Sequence, residues 1–187
     1  MSGWQAGLER RWSEPHRHHH DRTHLADVLA ALDELAAGGE PFDAEVVRTA
    51  AWFHDAVYDP RADDNEERSA ELALELLPSD ENPSEVARLV RITRTHAADA
   101  GDSNAAALCD ADLSVLASDR ERYDRYADNV RREYAHVPDA DFHAGRAAIL
   151  VGFLERAALF TTATGRARWE SPARANLDRE IATLRSR

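Results

Sequence analysis

Hydrophobic positions recur with a helical spacing along nearly the whole chain. The clearest apolar stripe consists of Leu25, Val28, Leu29, Leu32 and Leu35. This i, i+3, i+4, i+7 pattern is typical of a helix that buries one face. Gly38 and Gly39 follow the stripe and predict its end. Trp4, Leu8 and Trp12 recur every fourth residue and predict a shorter helix before it, ending ahead of Pro15.

The same spacing predicts helices along the rest of the chain. We expect them at about 43 to 54, 65 to 77, 82 to 93, 104 to 117, 120 to 135, 139 to 160 and 171 to 187. Ser171 and Pro172 are expected to open the last one. No strand alternation or internal repeat is apparent. The prediction is a single all-α domain over 1–187, a compact irregular bundle with its core at about 17–160 and the C-terminal helix packed on it.

Composition narrows the classes of function. The net charge of −12 argues against a nucleic-acid polymer as partner. The longest apolar run, "AAILVGFL", is too short to span a membrane, and the N-terminus has no apolar export segment, so we expect a cytoplasmic protein. Cys109 is the only cysteine, which excludes an internal disulfide and a thiolate zinc site. The chain contains no lysine, which excludes Walker A and Schiff-base chemistry.

Several ionisable residues fall on apolar helical segments. His20 and His24 are four residues apart and would share a face if the second helix started by residue 20. His54 and Asp55 follow the apolar "AAWF", and Asp110 and Asp112 lie in "LCDADLSVL". Each residue alone could be a hydrogen-bonded core residue or a helix cap. Together, two histidines and two carboxylates could supply the nitrogen and oxygen ligands of a divalent ion.

The order of these residues resembles a known family. His24, then the "HD" of His54 and Asp55, then Asp112 in "DADL" are similar to the signature of the HD-domain superfamily of metal-dependent phosphohydrolases. The resemblance extends to a subgroup of small predicted hydrolases through "EPHRHHHDRTHL", "AAWFHDAVYDPRADDNEERSA", "TRTHAADAGDSNAAALCDADLSVL", "YDRYADNVRREYAHV", "FHAGRAAILVGFL" and "ARANLDREI". It covers nearly the whole chain. It implies an HD-type helical domain.

The resemblance also implies roles for particular residues. His24, His54, Asp55 and Asp112 would be ligands of one divalent metal ion, which could be Mn, Fe, Co, Ni, Zn or Mg. The stretch from His20 to His24 resembles the HNxxH segment of cyclic nucleotide phosphodiesterases, and that resemblance makes His20 a candidate general acid. Asp21 stands where those enzymes have asparagine, and His19 stands where the subgroup usually has tyrosine.

Further residues are predicted to act on water or substrate. Asp55 could hold the metal through one oxygen and orient a water with the other. By the same resemblance, Glu66 is a candidate for positioning water, and Arg17, Ser69, Arg131 and Arg146 are expected substrate contacts. His96, at a predicted helix end, is expected to reach the substrate or a second metal. His96 could equally be an exposed residue at a helix end, and Tyr58 could line the site or pack the loop.

The predicted function is hydrolysis of a small phosphorylated metabolite, with nucleotides among the candidates, by a metal-activated water. Two alternatives remain open from the sequence: a di-iron oxygenase of HD type, and a noncatalytic module that binds a nucleotide. A homodimer could form through the amphipathic C-terminal helix.

Overall fold

The described residues of the computed structural model, 3–186, form ten α-helices and two 3₁₀ turns, without a β-strand among them. The helices are α1 Gly3–Arg11, α2 Arg22–Ala37, α3 Ala44–Phe53, α4 Asn65–Leu76, α5 Pro83–Ile92, α6 Ser103–Leu113, α7 Arg120–Glu133, α8 Asp139–Leu154, α9 Ala163–Arg168 and α10 Glu170–Arg185. The 3₁₀ turns are Ser79–Glu81 and Ser114–Ala117. The all-α prediction is confirmed. Residues 1, 2 and 187, which the predicted domain and C-terminal helix include, lie outside the described residues.

Aspartate caps set where several helices begin. Asp21 accepts hydrogen bonds from the backbone N–H groups of Thr23 and His24, so α2 begins at Arg22. A start by residue 20, the condition under which His20 and His24 would share a helix face, is therefore not met. An N-cap residue has an extended backbone, and His20 consequently lies in the turn before α2.

The C-terminal third departs furthest from the predicted pattern. The helix predicted over 139–160 ends at Leu154, and α9 was not predicted. Beyond Leu154, the carboxylate of Glu170 accepts hydrogen bonds from the N–H groups of Leu159 and Phe160. In a continued helix, these N–H groups would donate to backbone carbonyls four residues earlier. Here the Glu170 carboxylate takes the place of those carbonyls.

The start of the last helix also differs from its prediction. α10 begins at Glu170, one residue before the predicted cap Ser171, so Pro172 lies in the first turn and Ser171 inside the helix. Ala173, Leu177 and Ile181 of α10 are buried within the same chain, where the helix contacts α8 and the Ser114–Ala117 turn. The predicted homodimer would therefore need a surface other than this apolar face.

The buried apolar side chains of the helices form one cluster, with α2, α3, α5 and α6 in mutual contact. α6 is buried on nearly every side, from Ala105 through Ala111. Trp12 is fully buried against α3, and its indole Nε1 donates to the Trp52 carbonyl at 3.0 Å. Buried polar groups of α2 and α6, such as His24 and Asp110, therefore need partners within the protein.

The side chain of Asp110 accepts hydrogen bonds from backbone N–H groups inside the protein. Its carboxylate is almost fully buried and accepts hydrogen bonds from Thr161 N, Thr162 N and Thr162 Oγ1. Burial raises its pKa, even though these bonds act in the opposite direction. Asp110 thus joins α6 to the segment before α9.

Asp110→Ala is expected to lower the free energy of unfolding by about 2–4 kcal/mol, because the buried N–H and hydroxyl groups of Thr162 lose their acceptor. Urea denaturation followed by circular dichroism measures the change. The control is Asp99→Ala at an exposed loop position, which should stay within about 0.5 kcal/mol of the parent. Equal stability of the two variants would contradict this role of Asp110.

Candidate metal centre

Side chains from three helical segments converge on one point in the interior. His24 lies in the first turn of α2, His54 and Asp55 follow the end of α3, and Asp112 lies in the last turn of α6. His24 Nε2 is 3.1 Å from His54 Nε2 and 3.1 Å from Asp112 Oδ1. His54 Nε2 is 3.1 Å from Asp55 Oδ2 and 3.6 Å from Asp112 Oδ1.

Burial and hydrogen bonding orient the two imidazoles. His24 and His54 are only 3% and 1% exposed. His54 Nδ1 lies 2.8 Å from the Ala51 carbonyl, so this nitrogen carries the proton and Nε2 faces the other ligand atoms. The Trp12 ring packs against His54 at 5.4 Å between centroids. Both rings therefore turn Nε2 toward the carboxylates.

Charges within the group shift its pKa values in opposite directions. Burial lowers the pKa of His54, but the Asp55 and Asp112 carboxylates outweigh burial and raise it well above its ordinary value. Burial raises the pKa of Asp112, but the charge of His54 and the hydrogen bonds from His24, His54 and His96 lower it well below its usual range. His54 and the carboxylates thus stabilise each other's charged forms.

The spacing of these atoms fits a divalent ion. Ligands about 2.1 Å from a metal lie about 3.0 Å apart at octahedral angles and about 3.4 Å apart at tetrahedral angles. The ligand atoms of His24, His54 and Asp55 lie within 4.8 Å of one another. Asp112 Oδ1 lies 3.1 Å from His24 Nε2 and 3.6 Å from His54 Nε2. Two imidazole nitrogens and two carboxylate oxygens suit a divalent transition metal. His24, His54 and Asp55 could therefore hold a metal ion.

His20 is held beside this group by a carboxylate that the sequence did not single out. Its Nδ1 lies 2.7 Å from Glu133 Oε2, at the end of α7. Glu133 Oε1 accepts hydrogen bonds from the backbone N–H groups of His18, His19 and His20, and Tyr58 donates its hydroxyl to Oε2. The side chain of Glu133 is fully buried. This one carboxylate fixes the turn before α2 and the orientation of the His20 ring.

The same contacts shift the pKa of both partners. Burial lowers the pKa of His20, but the hydrogen bond from its ring to Glu133 and the charge of Asp55 raise it above its ordinary value. Burial raises the pKa of Glu133, but its bonds with His20 and the backbone lower it far more. Glu133 is the last residue of the polar helix α7. It lies 113 residues from His20 in the sequence, so the hydrophobic pattern of α7 could not predict this contact.

Glu133→Gln is expected to lower the pKa of His20, because the charged acceptor of its Nδ1–H is lost. Nuclear magnetic resonance titration of the His20 ring in the metal-free protein measures this shift. Glu121→Gln, on an exposed face of the same helix, serves as the control. An unchanged pKa in Glu133→Gln would show that the carboxylate does not govern the ring.

A cavity of about 560 Å³ opens beside the four converging side chains. It is lined by six of the residues predicted for the site: His20, Asp55, Glu66, His96, Asp112 and Arg146. His24 and His54 lie buried behind Asp55 and Asp112. The cavity gives a small molecule access to the group from one side.

His96 and Arg146 reach this cavity through unusual contacts. His96 has a left-handed backbone (φ 47°), which residues other than glycine rarely adopt. Its Nε2 lies 2.7 Å from Asp112 Oδ2, and Arg156 donates to its carbonyl. Arg146 donates to Glu180 and to the Tyr126 hydroxyl. Strained backbone of this kind is often found at functional sites.

Three other predicted substrate contacts bind the protein itself. Arg17 is buried and donates to the carbonyls of His20, Asp55 and Ala56. Ser69 is fully buried, and its hydroxyl both accepts from and donates to the Val57 backbone. Arg131 donates to backbone carbonyls after α7 and to Asp139. Arg17 and Ser69 therefore anchor the segment that carries Asp55.

A larger cavity, of about 1090 Å³, lies between α7, α8 and α10 and includes Arg131. None of the four converging residues lines it. Its charged side chains largely pair with one another, as Arg179 does with Asp124. The smaller cavity is therefore the candidate site.

Comparison of the chain with models of known protein families, with curated proteins and with solved structures gives no match in any of the three. Among the described residues, no helix is both long and apolar enough to cross a membrane.

Proposed function

We propose that the protein is a metal-dependent phosphohydrolase with an HD-type helical domain. The observation that carries this proposal is the meeting of His24, His54, Asp55 and Asp112 beside a cavity. The same four residues carry the resemblance to the HD superfamily. The net charge of −12 favours a small substrate over a nucleic-acid polymer.

His24 Nε2, His54 Nε2, Asp55 Oδ2 and Asp112 Oδ1 would hold one divalent ion, with Mn, Fe, Co, Ni, Zn and Mg as candidates. Such an ion, when bound, lowers the pKa of a water and withdraws charge from phosphoryl oxygens. Asp55 faces the histidines through Oδ2, which leaves its other oxygen to orient a water in the cavity. Glu66 lines the same cavity and could position that water.

His20 is proposed to donate a proton to the leaving oxygen. Its ring stacks on Tyr58 at 4.2 Å between centroids and lines the cavity beside Asp55. The raised pKa of His20 keeps the ring protonated to higher pH, as a general acid requires. Glu133 is a positioning residue in this scheme, because it binds His20 and does not line the cavity.

The test combines metal analysis of the purified protein with a phosphate-release screen of nucleotides and sugar phosphates. The proposal predicts one divalent ion per chain and release of inorganic phosphate that a chelator abolishes. Metal without release from any phosphoester, together with nucleotide binding, would favour the noncatalytic module.

One contact favours the di-iron alternative. His96 Nε2 approaches the second oxygen of Asp112 at 2.7 Å, and a carboxylate shared in this way could bridge two ions. Two irons per chain with oxygen consumption would support that alternative and overturn the hydrolase. Loss of one iron in His96→Ala would identify the second position.

A further inference from the structure

We propose that the cavity takes a molecule with a single phosphoryl group and an apolar body, such as an alkyl or aryl phosphate. This inference rests on the proposed function for the assignment of the phosphoryl group to the metal side of the cavity. It goes further by naming the chemical class of the remainder of the molecule.

Apolar side chains make up a large share of the cavity lining. They include Leu116, Val130, Val137, Phe142, Ile149 and Phe153. When an apolar ligand binds apolar side chains, the gain in binding free energy is proportional to the apolar surface that leaves water. The cavity thus combines charged groups with apolar side chains.

Two hydroxyl groups of the lining already have partners. The Tyr126 hydroxyl accepts a hydrogen bond from Arg146, and the Thr93 hydroxyl donates to the Val90 carbonyl. None of the described lining residues is Asn, Gln, Ser or Lys. A site that selects a nucleobase or sugar commonly presents such groups to the ligand's own donors and acceptors. The lining is therefore better suited to a body that is mainly apolar.

The balance of charge favours a single phosphoryl group. Arg94 lines the cavity, is exposed, and has no side-chain partner among the described residues. The other arginine of the lining, Arg146, is paired with Glu180 in a nearly buried ion pair. Glu66 and Asp141 add negative charge to the lining. Arg94 can balance one anionic group, whereas a polyphosphate would also face the two carboxylates.

Ile149 shows where the apolar body would lie. Its side chain is 58% exposed although it lines the cavity. The other large exposed apolar side chains among the described residues are Leu74 and Leu76 on α4, which line no part of this cavity. An apolar ligand body would cover Ile149 without moving the core.

The experiment is calorimetric titration, in the presence of Mn²⁺, with hexylphosphonate, methylphosphonate and the phosphonate analogue of AMP. These ligands cannot be hydrolysed, so binding is measured apart from turnover. A methylene fully removed from water strengthens binding about fourfold. Hexylphosphonate, with five more methylenes than methylphosphonate, should therefore bind at least tenfold more tightly, even in a half-open cavity.

Two variants, each with a matched control, test where the apolar body and the phosphonate group of the ligand bind. Ile149→Gln should weaken hexylphosphonate binding severalfold and leave methylphosphonate unchanged, whereas the matched Leu74→Gln should affect neither. Arg94→Gln should weaken both ligands by the same factor, roughly three- to tenfold. Arg10→Gln, at an exposed arginine of α1 outside the cavity, is its control.

Equal binding of the hexyl and methyl ligands would overturn the inference, as would tighter binding of the AMP analogue than of hexylphosphonate. The proposed function can fail separately. Selective hexylphosphonate binding without phosphate release from any ester would overturn the hydrolase and support the apolar ligand. Release from sugar phosphates without hexyl selectivity would support the hydrolase and overturn the apolar ligand.

Discussion

His54→Ala is expected to lose more than nine tenths of the bound metal and to abolish phosphate release. His54 Nε2 is the atom that lies close to both carboxylates and to His24, and its ring is almost fully buried. Loss of a residue that only hydrogen-bonds to a metal ligand typically weakens metal binding by roughly 10–100-fold. Loss of a residue that binds the metal itself should weaken metal binding by more than this. Asp55→Ala should act in the same way. Inductively coupled plasma mass spectrometry of the purified variants measures the metal content.

The control for these variants is His143→Ala, because His143 lines the larger cavity and not the candidate site. It should retain the metal content of the parent. Circular dichroism then separates loss of metal from loss of fold in His54→Ala and Asp55→Ala. Folded variants with full metal content would rule out His54 and Asp55 as ligands.

His20→Ala is expected to retain the metal while turnover falls by about 10²–10⁴-fold, the range typical of a general acid. The ring is fixed by Glu133, and among the described residues no ion pair within 4 Å joins it to Asp55 or Asp112. The loss should be larger for an alkyl phosphate than for p-nitrophenyl phosphate, because p-nitrophenolate leaves without needing a proton. In the parent, turnover of the alkyl ester should fall as pH rises through the pKa of His20, and Glu133→Gln should move this fall to lower pH.

His18→Ala tests whether any change in this histidine-rich turn has the same effect, since His18 is exposed and lies outside the candidate cavity. Its turnover should match that of the parent. Metal loss in His20→Ala would make His20 a ligand instead of an acid. An equal loss of turnover for both esters would remove the proton-donating role.

Helix positions were largely predictable because they depend on neighbours in sequence. The stripe from Leu25 to Leu35 predicted α2, and Pro83 marked the start of α5. Prediction failed between Leu154 and Glu170, where Asp110 and Glu170 supply the hydrogen-bond acceptors of the backbone. Local periodicity contains no information about acceptors that arrive from elsewhere in the fold.

Asp110 and Asp112 show the same difference between what local sequence predicts and what the fold decides. Local spacing left either residue free to be a cap or a ligand, and the resemblance to the HD superfamily favoured Asp112. In the fold, α6 directs Asp112 toward His24 and His96, and directs Asp110 toward Thr161 and Thr162. Residues two apart on a helix point in directions about 200° apart, so only the position of α6 in the bundle decides which partner each one meets.

The sequence by itself determined the all-α class, most helix starts and the residue types that could bind a metal, because periodicity and caps act over a few residues. Tertiary structure alone decided which residues meet. It brought Glu133 to His20, directed Arg17 and Ser69 to the backbone near Asp55, and gathered apolar side chains from several segments around the cavity. These contacts join residues far apart in the chain, and they form only when the helices pack and buried polar groups must find partners.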